Sequence, residues 1–271
     1  MIRPLMFLLG VMLLGCLSTV QAQDQPKIDP EIDKLIKALR DKSVEVSSKL
    51  RALKLLREKG ETAADAATAI CDAMLDRSLQ VAKAALETLE KVRPDLYTHV
   101  SVLVLDQDYG KRLKAIRELG LLGERALPVT NLLLARLRSE LAKDDYSQFA
   151  SAYFSALRQI KPDSEETIKL YKTIASSTSY RDGYYGKSPR LEAIEFLVEW
   201  AGEETSRRKQ LLPLLKSALN DRRCVIPCIR IIGDYGDLAK DFIPILKKFK
   251  FSSDEEVRKA AGEALDKLEN R

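Results

Sequence analysis

The 271-residue chain holds one histidine, His99, and four cysteines, and only 6% of it is aromatic. One histidine excludes a multi-histidine metal site. Four cysteines in this length are too sparse for a disulfide scaffold. No P-loop, dinucleotide fingerprint, zinc-protease helix or nucleophile elbow occurs. His99 has no serine, cysteine or aspartate at a spacing that would make it a base. The Gly233–Asp237 stretch has the composition of a phosphate or metal loop, but it falls on a turn between helices. Nothing here predicts a reaction centre, a cofactor, a metal or a small-molecule substrate. What is present is 45% apolar residues, enough to build a core, and 31% charged residues.

Residues 1–22 read as an address. Arg3 and the amino group supply positive charge, Leu5–Leu14 is apolar except for Gly10, and Val20-Gln21-Ala22 ends on a small residue. That is the build of a secretory signal peptide, and ten apolar residues are too few to span a bilayer. No later stretch is long and apolar enough to cross one. Leu13-Leu14-Gly15-Cys16 resembles a bacterial lipobox, so lipidation at Cys16 competes with cleavage after Ala22. A membrane association is expected only in the lipidated form. Residues 23–30 are polar and read as a flexible leader, and residues 31–271 as one domain.

The domain repeats. An apolar pair three residues apart recurs as Leu53/Leu56, Leu86/Leu89, Ile116/Leu119, Phe154/Leu157, Ile194/Leu197, Ile229/Ile232 and Leu265/Leu268. Four or five residues after each of the first six stands a helix breaker: Gly60, Pro94, Gly123, Pro162, Gly202 and Gly236. A second apolar helix follows each breaker, and Val100–Leu105, although β-branched, belongs to one by its offset. An aspartate then often opens the next unit, as at Asp41, Asp76, Asp106, Asp144, Asp221 and Asp254, and is expected to cap its helix. Repeating helical pairs imply an all-α chain in which neighbours stack because no single pair buries enough surface alone.

On these residues the chain resembles the HEAT repeats, α-solenoid relatives of the armadillo repeats. Asp254–Leu265 is similar to the first helix of the short HEAT variety found in phycobilisome lyases, and Leu119–Pro128 to the turn and second helix. Leu212-Pro213-Leu214-Leu215 and Ile243-Pro244-Ile245-Leu246 repeat the proline-led second helix. The resemblance covers about residues 30–271 and implies a right-handed α-solenoid of about six pairs plus a terminal helix. The second and fourth units carry proline in the turn and the fifth a long insertion, which are departures from the pattern.

The signal-peptide pattern predicts a secreted or periplasmic protein, and the resemblance implies a scaffold that binds a protein on its concave face. An analogy with the bilin lyases leaves a lyase- or chaperone-like role open, and the lipobox leaves open a structural envelope lipoprotein. Two features stand out as binding candidates. The insertion holds Tyr180, Arg181, Tyr184, Tyr185 and Lys187, and tyrosine suits recognition loops. From 205 to 250 there are 11 Lys/Arg against 4 Asp/Glu, a balance of +7, including Arg207, Arg208, Lys209, Lys247 and Lys248. A positive face of this kind suits an acidic protein partner, and outside the cytoplasm nucleic acid is not expected. Cys71, Cys224 and Cys228 read as small buried thiols. The targeting pattern predicts a mature amino terminus at Gln23. Intact-mass analysis of the exported protein checks it, and an acylated terminus at Cys16 or a retained Met1 contradicts it.

Overall fold

The computed structural model describes residues 28–142, 148–177 and 188–269. Among them every regular element is helical and none is a strand. The α-helices in chain order are α1 (Pro30–Arg40), α2 (Val46–Lys59), α3 (Ala67–Ala73), α4 (Leu79–Val92), α5 (Pro94–Leu105), α6 (Tyr109–Leu121) and α7 (Thr130–Leu141). They continue as α8 (Gln148–Ile160), α9 (Glu165–Ser176), α10 (Pro189–Ala201), α11 (Thr205–Ala218), α12 (Val225–Asp234), α13 (Ile243–Phe249) and α14 (Glu255–Glu269). All fourteen anchor residues are buried. Leu50 and Ala84, on the same helices as the first two anchor pairs, are half-buried.

Three stretches of the chain share one architecture. In each, a first helix (α2, α6 or α12) ends at a glycine. A tighter 3₁₀ segment follows: Gly60–Ala66, Gly123–Val129 or Gly236–Phe242. A second helix (α3, α7 or α13) then leads into the next first helix (α4, α8 or α14). The contacts also recur: α2 on α4, α6 on α8, α12 on α14, with the 3₁₀ segment and second helix of each packed on the same neighbour. One sequence template underlies all three. Counting from the glycine, the residues at −7, −4, +3 and +10 are Leu53, Leu56, Ala63 and Ile70 in the first. In the second they are Ile116, Leu119, Ala126 and Leu133, and in the third Ile229, Ile232, Ala239 and Leu246. Every one of the twelve is 0% exposed.

The glycines do two separate jobs. Gly60, Gly123 and Gly236 have φ of 58°, 56° and 55°, a conformation costly for any residue with a Cβ. Gly120 and Gly233, three residues earlier, are helical. A Cβ on either would stand 2.9 Å from the Cα of Ala156 on α8 or Ala264 on α14. Missing side chains are what let these first helices approach backbone to backbone. The matching pairs also align Leu157 with Leu265, which shifts the last anchor pair by one helical turn against the register expected from sequence.

The other units differ, and they are the ones whose turns departed from the pattern. Only Arg93 separates α4 from α5, so Pro94 starts α5 without a 3₁₀ segment. As a result α5 packs between α4 and α6, while α3 meets α7 directly. Asn131 of α7 donates to Asp72 of α3 at 2.8 Å. In the fourth unit Lys161, not the following Pro162, takes the turn conformation, with φ of 53°. Gly202 does so in the fifth, with φ of 49°. The chain also has a helix ahead of the first pair. In α1, Ile32, Leu35, Ile36 and Leu39 form one buried stripe, and Asp29 caps it by accepting from the Glu31 amide.

The unit-opening aspartates behave differently from simple caps. Asp41, Asp76, Asp106 and Asp221 each accept the amide two residues on, at 2.8, 2.8, 2.8 and 3.0 Å, building a turn just ahead of the helix. The cap of α6 is Asp108. Only Asp254 reaches into its helix, accepting from Glu256 and Val257. Asp144 lies outside the described residues. Ion pairs tie units together across these turns. Lys49, itself buried, meets Asp76 at 2.8 Å. Asp95 takes a two-pronged contact from Arg93, at 2.8 and 2.9 Å, and a third from Arg125 at 2.9 Å. The Arg93 guanidinium, aided by Arg125 and the Leu96 amide, holds the Asp95 carboxyl well below its usual value, at about 2.

Two predictions come from this packing. Replacing a helix-interior glycine by alanine ordinarily stabilises by about 0.5–1 kcal/mol. A Cβ added at Gly262 would meet open space, so Gly262→Ala should follow that rule. Gly120→Ala should reverse the sign and destabilise by about 1–3 kcal/mol, the cost of overpacking. Urea melts of both variants check the pair. Asp95 supplies stability that is complete above its unfolded carboxylate value and is lost as pH falls toward about 2. Asp95→Asn should therefore lower the melting temperature at neutral pH and flatten its decline between these limits; equal acid slopes for variant and parent contradict the clamp.

Candidate functional site

The irregular stretch from α9 to α12 concentrates the buried polar chemistry. Arg190, near the start of α10, is only 3% exposed. Its Nε donates to the Ala175 carbonyl at 2.9 Å, its Nη2 to Ser217 Oγ at 2.8 Å, and its Nη1 lies 3.6 Å from Asp221. One guanidinium thus ties the ends of α9 and α11 to the turn before α12. Positive charge is favourable there because helix carboxyl ends carry unpaired carbonyls and the negative end of the dipole. Beside it, Cys224 and Cys228 are buried, unbonded thiols, as is Cys71 on α3. Burial pushes each thiol up to about 12, so none is a nucleophile at neutral pH. An aromatic ladder fixes α8, α9 and α10 together: Phe154 meets Tyr171 edge-on at 5.6 Å, and Tyr171 stacks on Phe196 at 3.9 Å.

An open groove of about 970 Å³ runs between α9 and α11. Trp200, the chain's one tryptophan, lines it from the end of α10. Trp200 Nε1 donates to Asp163 at 2.5 Å. The Arg207 guanidinium lies over the indole at 4.6 Å and the Lys172 ammonium at 5.5 Å. Arg207 also donates to the Trp200 carbonyl at 3.1 Å and pairs with Glu204 at 2.6 Å. Lys172 donates to Gln210 at 2.8 Å, bridging α9 to α11 across the groove. A smaller cavity of about 260 Å³, lined by Pro162, Phe196 and Arg158, also has Trp200 in its wall. The indole is therefore half-buried, with Arg207 and Lys172 over its ring and Asp163 held at its edge. Sequence reasoning did not single out Trp200; its one available signal was being the only tryptophan, at a helix end.

The residues singled out from sequence are not gathered in one place. Tyr180, Arg181, Tyr184, Tyr185 and Lys187 lie outside the described residues. Arg207, Arg208 and Lys209 are on α11, Lys247 and Lys248 on α13. Arg207 lines the Trp200 groove. Arg208 is turned back on its own fold, donating to the Gly202 carbonyl at 2.6 Å, pairing with Glu203 at 2.5 Å and lying over Tyr235 at 5.1 Å. Lys247 pairs with Glu269 at 3.0 Å, while Lys209 and Lys248 are exposed. His99 on α5 meets Glu118 on α6 at 3.0 Å, a contact between packed helices. Among the described residues, no group of three His, Cys, Asp or Glu side chains is placed to hold a metal ion.

No protein-family model matches the chain, and no curated protein matches it. Among solved structures, the crystal structure of an engineered protein from the Northeast Structural Genomics Consortium is similar at 17% identity. The match covers 89% of this chain and 98% of that one, at a TM-score of 0.23, a superposition too loose to carry an argument.

Proposed function

We propose that this chain is an exported, HEAT-type α-solenoid that acts as a non-enzymatic scaffold and holds a segment of a partner protein in the Trp200 groove. The observation that carries the binding reading is the groove itself: a half-buried, pre-positioned indole with Arg207 and Lys172 over its ring and carboxylates beside it. A rigid, partly exposed tryptophan with a polar surround is the composition of a binding hot spot. The solenoid reading is supported by three modules on one template, each burying the same four positions against the next helix. In that arrangement α9 and α11 are second helices of consecutive units, the layer that lines a concave surface. Lys169 and Lys209 stand exposed on these two helices, and they favour a partner segment that carries acidic side chains. Export rests on the signal-peptide pattern of residues 1–22.

Trp200 makes the test direct, because its fluorescence reports on the groove without a label. A partner isolated from the extracytoplasmic fraction should shift the emission of the parent protein. Trp200→Ala should weaken its binding by about thirtyfold or more, the fold-change of a tryptophan hot spot at about 2 kcal/mol. Lys169→Glu with Lys209→Glu should weaken it chiefly at low salt. Unchanged affinity in the Trp200→Ala protein, with helix content intact, overturns the groove as the binding site.

A further inference from the structure

One turn breaks a rule that the others keep. Among the described residues, the positive-φ positions at the ends of first helices are Gly60, Gly123, Gly202 and Gly236, with one exception. At the end of α8 the same conformation, with φ of 53°, is taken by Lys161. The left-handed region is costly for a residue with a Cβ, and a strained residue of this kind is often held in place by what its side chain does. Here the side chain is exposed, and among the described residues it enters no ion pair. It lines the cavity of about 260 Å³ that lies against Trp200.

The rest of that cavity is apolar or already matched. Pro162 and Phe196 are buried and Trp200 is half-buried, and the three form an apolar slot. An apolar cavity of about 150 Å³ accepts a benzene molecule, so this one has room for a ring and a short polar arm. Arg158, also in the wall, is occupied: its Nη2 pairs with Glu195 at 2.8 Å and its Nε with Glu199 at 3.3 Å. Glu199 is the one carboxylate in the wall, and Arg158 is its partner. Asp163, next in the chain after Pro162, accepts from Trp200 Nε1 and lies 3.7 Å from Arg207. The cavity therefore offers a ligand an apolar slot and one unmatched positive charge. A ring fills the slot without leaving a polar atom unpaired, and a carboxylate gives the ammonium a charge-assisted hydrogen bond. An amine in its place would meet a like charge.

We propose that this cavity binds a carboxylate carried on an aromatic group, with the ring among Pro162, Phe196 and Trp200 and the carboxylate on the Lys161 ammonium. Such a group has two sources, a free small acid or the carboxyl terminus of a peptide that ends in an aromatic residue. Lysine in place of glycine at this turn then has a functional cause. The site does not rest on partner binding in the groove: the two share Trp200, but Lys161, Pro162 and Phe196 line the cavity and not the groove.

Trp200 fluorescence reads the site without a label. Phenylacetate should change the emission of the exported protein saturably, and phenylacetamide and phenethylamine should bind about tenfold more weakly or worse. Lys161→Gln removes the charge and keeps the strain, and should lower phenylacetate affinity about tenfold. Lys161→Gly removes both, and should lower affinity equally without lowering the melting temperature, because glycine adopts this conformation freely. Lys161→Arg should keep most of the affinity. An N-acetylated dipeptide ending in phenylalanine, tested as acid and as amide, separates the sources. If its acid form binds more tightly than phenylacetate, the site takes a peptide terminus; if it binds more weakly, the site takes a free acid. Equal binding of phenylacetate and phenylacetamide, parental affinity in Lys161→Gln and Lys161→Gly, or no saturable change in emission overturns the proposal. Because the probe is a small acid and the variants are at Lys161, that result leaves partner capture in the groove to its own test.

Discussion

The geometry of the regular modules depends on how closely two first helices approach. At Gly120–Ala156 and Gly233–Ala264 the distance leaves no room for a Cβ on the glycine. In these two modules the closeness sets the −7 and −4 anchors directly against the neighbouring first helix, where they are fully buried. The positive-φ glycine three residues later is the complementary constraint. It ends the first helix at a fixed point, so the 3₁₀ segment and second helix fall on the same neighbour each time. Close packing and turn conformation are thus separate glycine functions placed one helical turn apart. The first module shows that the second matters more. It has Arg57 where the others have Gly120 and Gly233, and Arg57 reaches outward to Glu87 at 3.1 Å, yet the module keeps its turn at Gly60.

Where the template lapses, polar groups take over the work of apolar ones. Among the described residues between α9 and α12 there is no 3₁₀ linker of the module type and no glycine-to-alanine helix crossing. The chain holds its elements there with Arg190, with the Phe154–Tyr171–Phe196 ladder and with contacts around Trp200. A buried guanidinium is a costly way to join helices unless its donors are used, and here it reaches a carbonyl, a hydroxyl and a carboxylate. Natural sequences tolerate such local inconsistency chiefly where a site is built. The groove proposed for binding lies in this stretch, between α9 and α11, and not in the regular modules.

The anchors were legible because a spacing of three with a breaker four residues on has few other physical meanings. Every anchor is buried, and all four glycine breakers have positive φ. What sequence could not show was the path of α5. Proline and glycine both end a helix, but Gly60, Gly123 and Gly236 take a positive-φ conformation closed to proline, and in these three turns a 3₁₀ segment follows. Treating Pro94 and Gly60 as equivalent breakers therefore hid the direct meeting of α3 with α7. The α1 stripe was visible as Ile32, Leu35, Ile36 and Leu39 but belonged to no pair. The groove was illegible for a different reason: its lining comes from three helices at no fixed spacing, and only Trp200 is a rare residue.

The basic stretch shows why charge counts overstate surfaces. Its +7 between 205 and 250 is real. Yet the guanidiniums are drawn to helix ends, where carbonyls lack partners. Arg207 donates to the Trp200 carbonyl and Arg208 to that of Gly202, both at the end of α10, just as Arg190 serves α9 and Arg258 the turn before α14. A planar fork of donors suits these carbonyls better than an ammonium does, so Arg207 and Arg208 are turned back on the fold while Lys209 and Lys248 remain at the surface. In an array of short helices the number of such ends grows with every repeat. Part of the arginine content is then a structural requirement, and beside the groove the charge left for a ligand is that of exposed lysines such as Lys169 and Lys209. That charge is modest, so short-range contact at the indole has to supply the selectivity that dilute charge does not.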